Sequence, residues 1–500
     1  MRIQNLLSSP VSPGAAKKPF DWLAIFIVAL SLLLSVIIAS TVGQIGFLAL
    51  LAIPAMLAFI GAIGKPEWGL VGFLVITFTQ LSDVLIVYHH LPSIAQPLAA
   101  LLLVVIVIRI AVFGEQPLGW LRAGVFLLIY TTAWLISLLH ASDAATATTT
   151  FIGFAKDALG MLIVVYFIQS PSTMRHAFWA LIVAGIFMGT ITAFQYFTSS
   201  YGNVFWGFGG WEQQISGAVT RYRITGPYAN PNAYAQVMVV ISALALDRVW
   251  HERKTLPKLV AGWSLVVSVL AVFVTFSRGG FISLVFTISV LLIQRRFNFI
   301  PLLITALIGL GLVQFLPDTY SSRINSLLQL VPSSTASPLS DPSFVGRLSE
   351  NTVAYRMFLD DPFLGVGLGN YRVLYQDYSR HLGLDTRRVS RTPASLYLEI
   401  LSEQGLVGSI VFVILIVYIF AGLVKARRNF SFAGMRDEAF MTSAILAGMA
   451  GYMFEAIFKN SAYSNAFWVL VGVALAVIQV AQLSFNKAIE QADSPVRQLA

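Results

Sequence analysis

Apolar runs of about 20 residues recur along this chain, and each is long enough to cross a bilayer core of roughly 30 Å as a helix. They fall near residues 20–40, 44–63, 68–87, 93–113, 119–139, 150–169, 174–197, 231–250, 257–277, 279–295, 298–317, 396–424, 440–459 and 463–483. A bilayer offers no water to the backbone, so lipid-exposed spans of this length have to close their hydrogen bonds as helices. The expected fold is therefore an all-α polytopic membrane protein with 12 to 14 transmembrane helices and one large, partly helical extracytoplasmic loop. Composition agrees, since 57% of the 500 residues are hydrophobic and 11% are charged. The run at 150–169 is interrupted by Lys156 and Asp157, a costly pair in lipid unless paired or facing a wet cavity.

Placing the N-terminus in the cytoplasm puts Lys or Arg at or beside every short inside connection, and none in the short outside connections 41–43, 88–92, 140–149 and 460–462. That asymmetry fits 14 spans with both termini cytoplasmic. The expected boundaries are a cytoplasmic tail at 1–19 and transmembrane helices over 20–317 with an outside loop at 198–230. A large extracytoplasmic loop at 318–395 follows, then transmembrane helices over 396–483 and a cytoplasmic tail at 484–500. The first run, from Trp22 to Ala39, is long for a signal-peptide core and reads as an uncleaved span.

The net charge of +9 does not point to nucleic acid, because most cations flank spans and set orientation; membrane lipids are the expected surroundings. With no cysteine, disulfides, thiolate metal sites and a cysteine nucleophile are excluded. The six histidines show no HxxxH or HxH spacing, so neither a metal site nor a cofactor is expected, and His381 reads as surface decoration. The outside cations concentrate in the two long outside loops and at Arg278, where guanidinium groups beside lipid suit an anionic partner, especially a phosphate.

Four motifs carry the candidate chemistry. In "RYRITGPYANPNAYAQ" turn residues precede a span, placing Arg221 and Arg223 near a helix N-terminus that favours anions, with Asn232 in its first turn. "TFSRGGF" is a tight connection in which Arg278 offers a bidentate fork beside two glycines. In the long loop, Arg347 to Asp360 has apolar Leu348, Val353, Tyr355 and Phe358 and reads as an amphipathic helix ended by Pro362. Tyr371 to His381 reads as a second short helix. Between them "GVGLGN" follows a proline and no strand, so it is a flexible turn and not a nucleotide loop. In "RTPASLYLEILSEQGLVG", Thr392 is expected to cap a helix starting at Pro393, with Ala394 and Ser395 in its first turn. Ser395, Glu399 and Glu403 then form one stripe at i, i+4 and i+8, with Tyr397 beside it.

In this order and topology, "RITGPYANPN", "TFSRGGF", "GRLSENTVAYRMFLDDPFLGVGLGNY" and "SLYLEILSEQGLVG" resemble the O-antigen ligase and O-antigen polymerase superfamily, over roughly residues 220–420. These are bacterial multi-span glycosyltransferases of GT-C-like architecture in the cytoplasmic membrane. The resemblance implies a polyprenyl-pyrophosphate-linked glycan as donor and a glycan or lipid acceptor. Arg223 and Arg278 match the arginines that bind the donor pyrophosphate. The family usually continues as His-Ser or His-Asn before "LYLE", a histidine thought to activate the acceptor hydroxyl; here that residue is Ala394. A histidine there would feel the helix dipole and stay neutral, as a general base requires.

Three explanations stand for Ala394: an engineered inactive variant, a natural member using Glu399 or Glu403 as base, or a natural non-catalytic relative. Ligases and polymerases share these motifs. The alternative class is a transporter of a small solute or ion, with Lys156 and Asp157 as its intramembrane polar element; the long arginine-bearing loop favours the enzyme.

Overall fold

The computed structural model of the protein describes residues 66–115, 120–216, 219–294, 342–384 and 391–497. The runs expected at 20–40, 44–63 and 298–317 lie outside them, as does the "SSTASPLSDPS" stretch up to Asp341.

The first described run is not one helix but two, α1 (Pro66–Phe78) and α2 (Leu81–His89), bent by 52°. The break falls at Gln80, which adopts a left-handed conformation (φ 52°). Its amide Nε2 donates to Thr77 O at 3.0 Å and to Asn465 Oδ1 at 3.1 Å, so a side chain covers the backbone that the bend frees. Next come α3 (Ala95–Phe113), α4 (Trp120–Leu139), α5 (Ala144–Phe167) and α6 (Pro171–Phe197). Lys156 and Asp157 do not interrupt α5; they line a cavity of about 810 Å³ together with Asp83, Gln80 and Gln96.

Residues 198–230, expected as loop, hold an antiparallel hairpin of β1 (Trp211–Ser216) and β2 (Val219–Ile224), in register Trp211 to Ile224 and Glu212 to Arg223. Then come α7 (Pro231–His251), α8 (Thr255–Val274) and α9 (Arg278–Gln294). Every residue of α7 from Tyr234 to Arg248 is buried, so over this length the helix packs against protein on all sides. Two helices before the last membrane segment, α10 (Pro342–Asp360) and α11 (Asn370–His381), enclose a small core of Val353, Ala354, Met357, Val366, Tyr371 and Tyr375. The chain ends in α12 (Leu396–Phe432), α13 (Arg436–Glu455) and α14 (Asn465–Arg497). Both α12 and α14 run past the expected limits of 424 and 483.

Among the described residues seven helices are long and apolar enough to cross a membrane, or eight if α1 and α2 form one broken span. The protein is an all-α polytopic membrane protein, the hairpin being its small exception.

At one end of the bundle α6, α7 and α13 meet in a charged network. Arg248, fully buried, donates to Asp247 Oδ2 at 2.6 Å and to Asp437 Oδ1 at 2.9 Å. Arg175 bonds Asp437 and Glu252, each at 2.7 Å. At the opposite end Gln236 Nε2 donates to Tyr452 O at 3.1 Å, and that end holds every motif singled out from the sequence for the candidate site.

Candidate active site

The first corner of the site is built by turns. Asn230, extended at φ −137°, caps α7 by accepting the N–H groups of Asn232 and Ala233, and Pro231 fills the first helical position. Asn232 therefore sits in the first turn, where its Oδ1 accepts Arg223 Nη2 at 3.0 Å. Arg223 Nε donates to Thr275 O at 2.9 Å, at the end of α8. One guanidinium thus ties the hairpin, the start of α7 and the end of α8 together. Arg278 opens α9 only three residues after Thr275, across a turn in which Phe276 is left-handed (φ 50°). A side chain at Gly280 would bring its Cβ within 2.7 Å of Ala235, so this turn closes on α7 only with glycine. The two arginines expected from sequence are brought to one corner. Arg221 pairs through its backbone with Gln214; its side chain lies outside the described residues.

The second corner is the start of α12. The helix does not begin at Pro393 under a Thr392 cap; Ser395 is the N-cap and Leu396 the first helical residue. The reason is tertiary: Leu396 N–H, one of the free donors of a helix start, donates to the carbonyls of Ala456 at 2.9 Å and Lys459 at 3.1 Å. Ser395 Oγ also reaches Ala456 O, at 3.4 Å. Ala394 is half-buried just before the helix. Tyr397, 39% exposed, donates its hydroxyl to Met453 O at 2.8 Å.

Two turns on, α12 breaks at Gly405 (φ 60°, ψ −158°). The break frees two carbonyls and two N–H groups, and the segment 362–367 takes all four. Val366 N–H donates to Ser402 O and Gly367 N–H to Glu403 O; Leu406 and Val407 N–H donate to Pro362 and Phe363 O. "GVGLGN" is thus a turn, with positive φ at Gly365, Gly367 and Gly369, but one bonded firmly to the broken helix. Glu403, 2% exposed, completes the lock by accepting Gly369 N–H at 2.9 Å, Tyr371 N–H at 3.2 Å and the Tyr463 hydroxyl.

Glu399, 3% exposed, accepts Asn460 Nδ2 and Ala462 N–H, each at 3.1 Å. It faces a cavity of about 200 Å³ lined also by Lys459, Asn460, Gln236, Tyr452 and Tyr463. Ala233, next to the Arg223-bound Asn232, lines it too, so the cavity adjoins the arginine corner. Lys459 bonds Asn460 and lies in electrostatic reach of Glu399, Glu455, Glu350 and Arg347.

Lys459, Asn460, Tyr463 and Glu455 were not singled out from the sequence. Glu455 and Lys459 sat inside or at the edge of an apolar run and were absorbed into a span; an ionisable residue within such a run was the available signal. The Arg391 side chain was also passed over. It bonds Glu350 at 2.7 Å and so pins the "RTPAS" segment to α10.

Residues 263–413 match the model of the O-antigen ligase family. The match takes in the "TFSRGGF" turn, the α10–α11 pair and the whole break in α12; Arg223 precedes it. No curated protein matched the chain. Residues 263–413, which carry both Arg278 and the "SLYLE" helix start, are thus similar to the O-antigen ligase family.

Proposed function

We propose that the protein is a membrane glycosyltransferase that moves a polyprenyl-pyrophosphate-linked glycan onto an acceptor hydroxyl at the outer face of the bacterial cytoplasmic membrane. The observation that carries the reading is the bridge from Arg223 to Thr275 and Asn232, which gathers two arginine-bearing motifs beside a polar cavity at one end of the bundle. An acceptor oxygen attacks the anomeric carbon, the bond to the pyrophosphate breaks, and Arg223 and Arg278 stabilise the charge on the leaving group, with Arg221 as a third candidate. In this reading residues 318–395 form the extracytoplasmic loop, and the tails 1–19 and 484–500 are cytoplasmic.

Of the two carboxylates on α12, Glu403 has both oxygens committed to the loop lock, whereas Glu399 faces the cavity. Glu403 therefore serves as a positioning residue, and Glu399 orients the 459–462 segment that closes the cavity.

Purified protein reconstituted with a lipid-linked glycan and an acceptor tests the proposal by the appearance of transferred glycan. Absence of both transfer and donor binding overturns it. The lipid-linked glycan that accumulates without the protein separates the two family activities: a single repeat unit means polymerase, long chains mean ligase.

The cavity of about 810 Å³ carrying Asp83, Lys156 and Asp157 supports a second reading, a transporter of a small solute or ion. Solute flux in liposomes without glycan turnover decides for it.

A further inference from the structure

We propose that Glu455 takes the proton from the acceptor hydroxyl, in place of the histidine that position 394 lacks. The inference rests on the glycosyl-transfer reading and adds a residue to it. Among the described residues, three carboxylates are buried at this end of the bundle: Glu399, Glu403 and Glu455. The first two have donors on both oxygens. Glu455 is 1% exposed, and apart from the Ser277 hydroxyl no hydrogen-bond donor among the described residues serves its oxygens. A buried carboxylate served by a single hydroxyl is costly, and such groups persist where function requires them.

Its position fits the task. Glu455 is the last residue of α13, and the next carbonyl, Ala456 O, is the acceptor for Leu396 N–H and Ser395 Oγ. The Ala394 segment therefore docks directly beside it. On its other side lies the Arg278 turn: a Cβ on Gly280 would come within 3.4 Å of Glu455 Oε1, and the Ser277 hydroxyl donates to the carboxylate. The carboxylate stands between the turn that carries Arg278 and the helix start that lacks the base. Arg347 and Lys459 are within electrostatic reach of it.

In the step, the acceptor O–H bond breaks as its oxygen bonds the anomeric carbon, and the proton passes to a Glu455 oxygen. The anomeric C–O bond to pyrophosphate breaks, its electron pair leaving on the phosphate oxygen. Transfer of the proton from Glu455 to the departing pyrophosphate or to water restores the carboxylate.

The test compares wild type, Glu455→Gln, and Glu455→Gln combined with Ala394→His, each reconstituted and assayed for binding of a polyprenyl-pyrophosphate glycan and for its transfer. Loss of a general base predicts that Glu455→Gln binds donor within about threefold of wild type while transfer falls about 100-fold or more. Histidine at 394 is then expected to recover at least about tenfold of that loss, because it restores a base at the neighbouring position. A merely structural glutamate predicts no such rescue. Transfer by Glu455→Gln near the wild-type rate, loss of donor binding in that variant, or no rescue by histidine overturns the proposal. If wild type neither binds nor transfers the glycan, the glycosyl-transfer reading itself falls and takes this inference with it.

Discussion

Gly369 donates its backbone N–H to Glu403 Oε2 at 2.9 Å, joining a loop turn to a helix 34 residues further along the chain. The same carboxylate takes Tyr371 N–H and the Tyr463 hydroxyl, so removing it strands three donors at once. Each buried donor left without a partner costs about 1–3 kcal/mol. Glu403→Ala is therefore expected to lower thermal stability in detergent clearly, and Glu403→Gln, which keeps an acceptor oxygen, to lower it less. Equal melting of Glu403→Ala and wild type counts against the lock.

The break in α12 makes a sharper demand. Gly405 adopts φ 60° and ψ −158°, a region open in practice to glycine alone, which costs other residues about 1–3 kcal/mol from the backbone by itself. A Cβ there would also fall 2.4 Å from the carbonyl carbon of Phe363. Gly405→Ala is expected to fail to accumulate as a monodisperse protein on size exclusion. Normal yield and melting would show that the break is not required.

These two features mark the limit of what the residues alone disclosed. The helices were legible because apolar runs of span length admit one backbone solution in lipid, and α10 and α11 appeared where charge and apolar residues alternate at helical spacing. The buried face of α10 was read less well. Of the expected apolar residues Leu348, Val353, Tyr355 and Phe358, Val353 is buried and makes the core with Ala354 and Met357, whereas Leu348 and Tyr355 are exposed. A single amphipathic pattern does not say which apolar residues meet a partner. The break at Gly405 was hidden because its hydrogen bonds go to residues 362–367, a pairing that no local pattern encodes. Arg223 and Arg278 were legible as cations out of place beside lipid; their convergence through Thr275 was not.

Arg223 gives the most direct test of that convergence. Its Nε and Nη2 make separate bonds to Thr275 O and Asn232 Oδ1, and a lysine ammonium cannot hold this fork. Charged hydrogen bonds contribute about 1.5–3 kcal/mol, so Arg223→Lys is expected to weaken binding of a polyprenyl-pyrophosphate glycan about tenfold or more despite its retained charge. Binding unchanged in Arg223→Lys but lost in Arg223→Ala would mean that charge alone matters and that the fork does not.

The far end of the bundle offers a prediction independent of any reaction. Arg248 and Asp247 are both fully buried, and Arg248 also reaches Asp437 across to α13. His251 bonds Asp247 Oδ1 at 2.8 Å and stacks on Phe440 with ring centroids 3.7 Å apart, so the network clamps α7 to α13. Removing one member of a buried pair leaves an uncompensated charge, at a cost of about 3–5 kcal/mol, whereas replacing both with apolar residues is often nearly neutral. Arg248→Met is therefore expected to destabilise the protein strongly, and Arg248→Met with Asp247→Leu to recover much of the loss. Thermal unfolding in detergent reads both variants. A double variant no more stable than the single one would show that the pair is not the unit that matters, and would shift the clamp to the Arg175, Glu252 and Asp437 side of the network.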